Sequence, residues 1–368
     1  MLPTTWVDEF PILARSAYLN SCSLGALSRR VRVAVESFHD EWDARGAPAW
    51  YDTWLPRLAE LRQAYARVVE AAGDEIALHE SISAGAAVVA SALDYRRRPR
   101  VVTTNLDFPT VAYQWLARER ADVELVVVDS PDGLTVPPEL IADAVDERTA
   151  LVATSHVYFT TGAEQDIGAV AHAAHQYGAL AYIDGYQAAG QVPVDVHASG
   201  VDFYAAGGLK WLLGGPGIAF LYVRRELHVL EPTVTGWFAH AHPFTFDVRQ
   251  HDRLGDARRF ELGTPALAAV HAQLGALRLL AEIGPDQIFG RTRELQAQLV
   301  TGAQARGLTP RVSDQQTAII TFPDPAPPAA VARLAERGVV VDARPGHVRV
   351  SPFFYNSDDA IQTFLEAY

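Results

Sequence analysis

Lys210 is the only lysine in a chain of 368 residues, and every other basic side chain among its 31 lysines and arginines is an arginine. A surface charge is served by either residue. Guanidinium, however, keeps its proton at any ordinary pH, whereas a lysine amine can be desolvated and made nucleophilic. Most lysines are solvated surface residues, but the neighbours here are Gly207, Gly208, Leu209, Trp211, Leu212 and Leu213, which do not form a solvated face. A lysine kept at this position points to chemistry that needs a free amine, such as Schiff-base formation. Asp184 closes the apolar run "LAYID" earlier in the sequence. An aspartate after a strand is commonly a helix cap. Its separation from Lys210, though, suits a helix-containing connection plus one more strand, which would bring both residues to the carboxyl ends of neighbouring strands. A carboxylate there can hold a pyridine nitrogen protonated while the amine condenses with an aldehyde. These are the two groups that a pyridoxal 5'-phosphate (PLP) site requires.

The surrounding pattern supplies such strands. Mixed three- and four-residue apolar spacing predicts helices over 57–72 and 84–95. Beyond them, β-rich runs beginning at Arg100, Val123, Thr149 and Leu180 alternate with helical stretches over 110–120, 137–145 and 166–177, and "VDFYAAGG" and "GIAFLYV" follow. This alternation indicates an α/β fold with a doubly wound, mostly parallel sheet. Ligands of such sheets sit beyond the carboxyl ends of the strands. From about residue 264 a long helix, "TAIITF", a helix near 329–337, "VVVDA" and "HVRVSP" suggest a smaller α+β domain. The expected division is a large domain over 51–263 and a small one over 264–368, joined by residues 1–50.

Composition narrows the function classes. A net charge of −13 disfavours nucleic acid and anionic membranes as partners. "RRRPR" (96–100) is the one dense basic run and reads as a solvated helix end. No apolar run reaches the ~18 residues of a membrane span, and "MLPTTWVDEF" has no secretory pattern, so a cytoplasmic protein is expected. Cys22 is the sole cysteine, which excludes intrachain disulfides and cysteine-rich metal sites. No H-E-x-x-H occurs, and no glycine-rich nucleotide loop follows a strand.

The stretch "IDGYQAAGQVPVDVHASGVDFYAAGGLKWLLGGPG" (183–217) resembles the core motif of the class V aminotransferase group. That group consists of fold-type I PLP-dependent enzymes and includes cysteine desulfurases, selenocysteine lyase and kynureninase. Further motifs match in the group's order: "YLNSCSLG" (18–25), "FPT" (108–110), "RFELGTP" (259–265) and "RVSPFFYNS" (349–357). The resemblance implies the fold-type I architecture, a seven-stranded-type sheet between helices plus a smaller α+β domain. It also implies PLP as cofactor, a small-molecule amino-acid substrate, and a homodimer with active sites at the interface. By the same resemblance Lys210 is the Schiff-base lysine and then the acid/base at the α-carbon, and Asp184 is the partner of the pyridine nitrogen. Gln187 is implied as a donor to the phenolic oxygen, and Phe108 as the ring stacked on the cofactor. Ser83, just before a helix, and the N–H of Ala84 are phosphate ligands, with Thr264 added across the dimer interface. Arg349 and Asn20 bind substrate. Competing readings remain: Phe108 as an ordinary core aromatic, Ser83 as a plain helix cap, Arg349 as a structural ion-pair residue.

The sequence also departs from the group. Desulfurases carry serine three residues before the lysine and histidine directly before it, and kynureninases carry tyrosine directly before it. Here those positions are Gly207 and Leu209, so the phosphate must rely on other donors. "VVVDARPGHVRVS" (339–351) holds no cysteine in place of the desulfurase nucleophile, and Cys22 reads as a buried, inert thiol. "YLNSCSLG" and "TGWFAH" (235–240) favour a kynureninase-like lyase that cleaves a C–S or C–C bond within the substrate's side chain. The alternative is an aminotransferase or epimerase on the same scaffold.

Overall fold

The computed structural model describes residues 6–119 and 123–368. Arg120, the last residue of the helix expected over 110–120, and the first half of "MLPTTWVDEF" lie outside these residues. The described helices are α1 (Arg29–Arg45), α2 (Leu55–Val68), α3 (Ile82–Ser91), α4 (Pro109–Leu116), α5 (Pro138–Ala144), α6 (Ile167–Gln176), α7 (Val196–Ser199), α8 (Leu267–Ile283), α9 (Pro285–Ala305), α10 (Pro327–Glu336) and α11 (Asp358–Ala367). The strands are β1 (Ala17–Tyr18), β2 (Ile76–His79), β3 (Arg100–Thr104), β4 (Glu124–Val128), β5 (Thr149–Ser155), β6 (Leu180–Asp184), β7 (Phe203–Gly207), β8 (Ala219–Val223), β9 (Ile320–Pro323), β10 (Val339–Val340), β11 (Asp342–Arg344) and β12 (His347–Val350).

Seven strands form one sheet in the order β2-β8-β7-β6-β5-β3-β4. The pairings from β7 through β6, β5 and β3 to β4 are all parallel, and β8 runs antiparallel to both β2 and β7. Six strands therefore end on one edge. Alternation along each strand divides the side chains between two apolar layers, as the two-residue strand period requires. Val101, Leu151, Tyr182 and Phe203 pack into the layer that holds Val89 of α3 and Trp115 of α4. Val102, Val152, Ile183 and Tyr204 pack into the layer that holds Leu61 of α2, Val170 of α6 and Leu274 of α8. Both faces are covered, which is why these strands read as near-continuous apolar runs.

A third core lies among the carboxy-terminal elements. There Ile320, Phe322, Val348 and Val350 meet Leu295 and Leu299 of α9 and Ile361 and Phe364 of α11. Leu19 belongs to this core, and β1 pairs in parallel with β10. The amino-terminal segment thus threads from the carboxy-terminal elements back to the large sheet.

Two expectations need correction. The long helix from about residue 264 is two helices, broken at Gly284, whose φ of +90° a side chain rarely adopts, with Pro285 following. The run 96–100 is not a plain solvated helix end. Arg98 donates to the carbonyls of Thr149 and Tyr177, and Arg100 opens β3 and pairs with Glu124 and Asp146. Five elements, β1, α1, β2, α7 and α11, had no counterpart in the elements expected from sequence. β2 is four residues long, too short to show a period.

Candidate active site

The site assembles on the edge where β3, β5, β6 and β7 end. Asp184 is the last residue of β6 and pairs in register with Ala205 of the neighbouring β7. β7 ends at Gly207, and the following turn carries Lys210. The amino-terminal segment fixes that turn from outside. The N–H of Gly25 donates to the carbonyl of Leu209 (2.9 Å), and a Cβ at Gly25 would collide with the carbonyl oxygen of Lys210. Glycine stands at position 25 because the two backbones touch there.

Lys210 keeps some solvent access, yet desolvation around its amine outweighs attraction by Asp184 and Cys22. Together with repulsion from Arg349 and Arg344, it pushes the pKa down to about 8. The amine is therefore far easier to deprotonate than an ordinary lysine. Its Nζ lies 4.4 Å from the centroid of the Tyr186 ring and 6.0 Å from that of Phe108. Asp184 is buried, and burial raises its pKa to about 6, opposed by a hydrogen bond from the N–H of Tyr186 and by attraction to Lys210, and aided by repulsion from Asp107. The bond from Tyr186 to Oδ1 is 2.9 Å. A cationic ring nitrogen beside this group would restore the carboxylate.

Phe108 is 45% exposed, so it is not a core aromatic; its ring meets Phe159 edge-to-face at 5.1 Å. It caps the start of α4. The preceding residue, Asp107, is a buried carboxylate that ties β3 to β5, accepting from Thr103, Thr104, Thr154 and Ser155. Gln187 is buried between two anchors. Its Nε2 donates to the Cys22 carbonyl and its Oε1 accepts from the Trp211 indole, both at 2.9 Å. One Nε2 hydrogen remains for a further acceptor.

At α3 the structure corrects the expected cap. Ser81, not Ser83, precedes the helix, and its Oγ accepts from the Ala84 N–H (3.2 Å). Ser83 lies inside the first turn, exposed, with its Oγ 3.3 Å from Thr110 Oγ1. The Ala84 N–H expected to face a phosphate is therefore taken by the cap. Thr264 is exposed on the loop before α8, and no contact joins it to Lys210 or Asp184 among the described residues.

Arg349 is buried and engaged. Nη1 donates to the Phe159 carbonyl (2.6 Å), and Nη2 donates to Ser23 Oγ (2.8 Å) and to Asp342 (3.0 Å); Nε has no partner among the described residues. Asp342 also pairs with Arg344 (2.7 Å) and accepts from Ser23 (2.7 Å). The ion-pair reading of Arg349 thus describes its state here. Asn20 stands opposite Ser351, two residues beyond Arg349. Cys22 is buried with its Sγ 3.9 Å from Asn20 Oδ1. Sequence reasoning missed Asp107, Tyr186, Ser81, Asp342 and Arg344. Asp107 and Tyr186 were signalled only by adjacency, to Phe108 and to Asp184.

The donor set fits PLP: an amine with a lowered pKa, a buried carboxylate one strand away, an exposed aromatic ring near the amine, and paired hydroxyls at a helix start. A lysine and an aspartate so placed, at adjacent strand ends of a mostly parallel sheet, define a fold-type I PLP-dependent enzyme. The particular lineage follows from comparison with known proteins. The aminotransferase class-V family matches residues 30–360, and the protein belongs to that family of PLP-dependent lyases and aminotransferases. It is 33% identical to the uncharacterized aminotransferase YcbU of Bacillus subtilis (strain 168), over 99% of this chain and 97% of that one. It is 30% identical to the kynureninase of Deinococcus radiodurans, over 91% of this chain and 84% of that protein. Among solved structures, a lysine-to-alanine mutant of C-DES with glycine covalently linked to its PLP cofactor superposes with a TM-score of 0.90 at 21% identity, covering 98% of both proteins. Among the described residues no helix is long and apolar enough to cross a membrane.

Proposed function

We propose that the protein is a cytoplasmic PLP-dependent lyase that cleaves a C–S or C–C bond in the side chain of an amino-acid substrate, and that it works as a homodimer. The juxtaposition of Lys210 and Asp184 carries the reading. Bound PLP supplies the electron sink for the substrate's α-carbon. Lys210 would hold the cofactor through its amine and would take and return the substrate's α-proton. Its low pKa lets it do so near neutral pH. Asp184 would hold the proton on the ring nitrogen. Phe108 would wall the ring, Gln187 would offer its spare N–H to the phenolic oxygen, Ser83 and Thr110 would hold the phosphate, and Thr264 would reach a neighbouring subunit's phosphate. Arg349 and Asn20 receive the substrate carboxylate, which takes over from Asp342 at Nη2 and finds the unpartnered Nε within reach.

Lyase chemistry is favoured by the similarity to kynureninase along most of the sequence. A second copy would cover the exposed Phe246 and Val248, which ring an open cavity with Trp237 and His240. One observation favours transamination instead: the B. subtilis relative carries the aminotransferase name.

The test incubates holoenzyme with a panel of amino acids, with and without a keto acid, and identifies the products. A side-chain fragment released without keto acid supports the lyase. A new amino acid formed only when keto acid is present overturns it. Borohydride reduction followed by peptide mapping should place the fixed cofactor on the Lys210 peptide and nowhere else.

A further inference from the structure

Tyr186 packs against Gly207 and Leu209, the two positions without side-chain donors. Its N–H holds Asp184, and its ring lies beneath the Lys210 amine. A Cβ at Gly207 would collide with Cε2 of the Tyr186 ring. Gly207 is thus glycine because the tyrosine ring fills the space of any side chain there, and its backbone is not in the left-handed region. The backbone N–H of Leu209 faces the tyrosine hydroxyl. One residue therefore occupies the volume over position 207 and brings a hydroxyl to position 209, the two places where this protein lacks side-chain donors.

Strand register locates this hydroxyl relative to the anion-binding helix start. His79 and Gly207 are both paired with Ala219 of β8. They lie two strand spacings apart, roughly 10 Å. α3 opens just after His79 with Ser81 as its cap, so its first turn and the Gly207–Leu209 turn flank the same stretch of the sheet edge. A phosphate over β8 would meet Ser83 from one side and the tyrosine hydroxyl from the other. Burial and the nearby Asp184 push the Tyr186 pKa up to about 12, so the hydroxyl keeps its proton and can donate it.

We propose that Tyr186 is a cofactor-binding residue of this protein: its ring forms a wall of the slot beside Lys210, and its hydroxyl donates to the phosphate in place of side chains absent at Gly207 and Leu209. The proposal rests on the PLP reading above.

The test uses the full-length protein loaded with PLP or with pyridoxal, which lacks the phosphate, and follows cofactor release after dilution. Tyr186→Phe keeps the ring and removes the donor. Losing one hydrogen bond to a charged group should speed PLP release about 10–100-fold and leave pyridoxal release unchanged. Equal release of PLP from Tyr186→Phe and wild type, or equal acceleration for both ligands, overturns the phosphate contact. The packing claim is tested by a double-mutant cycle. Gly207→Ser alone should speed release, and Tyr186→Ala combined with Gly207→Ser should recover part of the loss; strictly additive effects overturn it. A wild-type protein that takes up no PLP at all would instead defeat the reading on which the proposal stands.

Discussion

Asp107 and Asp184 are both buried aspartates on the same edge of one sheet, at or just beyond the ends of β3 and β6. Asp107 is closed. Its Oδ2 accepts from Thr103 Oγ1 and from the N–H and hydroxyl of Thr104, and its Oδ1 accepts from Thr154 Oγ1 and the Ser155 N–H. Asp184 accepts one described hydrogen bond, from the N–H of Tyr186. Burial raises the pKa of both, but only Asp107 has a full set of donors to offset it. The buried Arg62–Glu261 pair repeats the closed pattern, with Glu261 also accepting from the Leu78 N–H. A buried charge that the protein satisfies itself serves the fold. A buried charge left open waits for a partner from outside, and in this protein the open carboxylate stands beside the only lysine.

The contrast is broken most directly by treating both aspartates alike. Asp184→Asn should retain cofactor and fold, and turnover should fall about 10²–10³-fold because the ring nitrogen loses its anionic partner. Steady-state rates on the true substrate, with the visible spectrum recorded alongside, check this. Near-wild-type turnover would make Asp184 a mere cap. Asp107→Asn should do the reverse. An amide nitrogen would face donors, so the apoprotein should lose about 2–4 kcal/mol of stability in urea unfolding, with thermal midpoint falling in step. An Asp107→Asn protein as stable as wild type would remove the distinction between the two sites.

The two aspartates also differ in how legible they are in the sequence. Asp184 is readable because its spacing to Lys210 matches one strand crossover, a constraint local to the sequence. Asp107 is not, since its donors come from two strands that meet only in the folded sheet. The same holds for Arg349: its segment is recognisable, but its engagement by Asp342 depends on the β11–β12 pairing. The order of strands and helices in the large sheet is legible because both its layers are apolar. The four residues of β2 and the break at Gly284 escape notice, one for want of length and the other because the apolar pattern continues across it. Ser81 yields to Ser83 in the sequence, because two serines two positions apart offer the same cap signal and only the backbone decides between them.

Lys210 gives a subtler test through pH. Its folded pKa of about 8 lies below the ordinary 10.5, so between these values the unfolded state binds more protons than the folded one. Stability of the apoprotein should therefore rise with pH across that window, by about 3 kcal/mol. Asp184 works oppositely in a lower window. Its pKa is raised from 3.8 to about 6, so its contribution to stability falls as pH rises through that range. Lys210→Met should remove the alkaline rise and leave the acidic fall in place, read from urea midpoints at a series of pH values. An alkaline rise that persists in Lys210→Met would mean that the amine is solvated and the site less closed than the geometry indicates.

The smallest effect is expected at Cys22, which sharpens the contrast from the other side: it is a reactive residue type, near the open site, that the structure uses only through its backbone. The Cys22 N–H donates to Ser351 Oγ (3.0 Å), and its carbonyl accepts from Gln187. The thiol is buried, and its one described polar contact is the long approach to Asn20 Oδ1. Serine preserves both backbone bonds and places a better donor toward Asn20. Cys22→Ser should therefore keep turnover within about twofold, and stability should change by no more than about 1 kcal/mol, the usual scale of a single neutral hydrogen bond. Supplying cysteine as substrate should leave no protein-bound persulfide on the wild-type enzyme, since a reactive thiolate needs exposure as well as a positive neighbour and Cys22 has no exposure. A Cys22→Ser enzyme that holds its cofactor and binds substrate but forms no product would reverse the assignment. It would place the thiol among the groups that exchange protons with the substrate, reaching the site from the same amino-terminal segment whose Gly25 backbone braces the lysine turn.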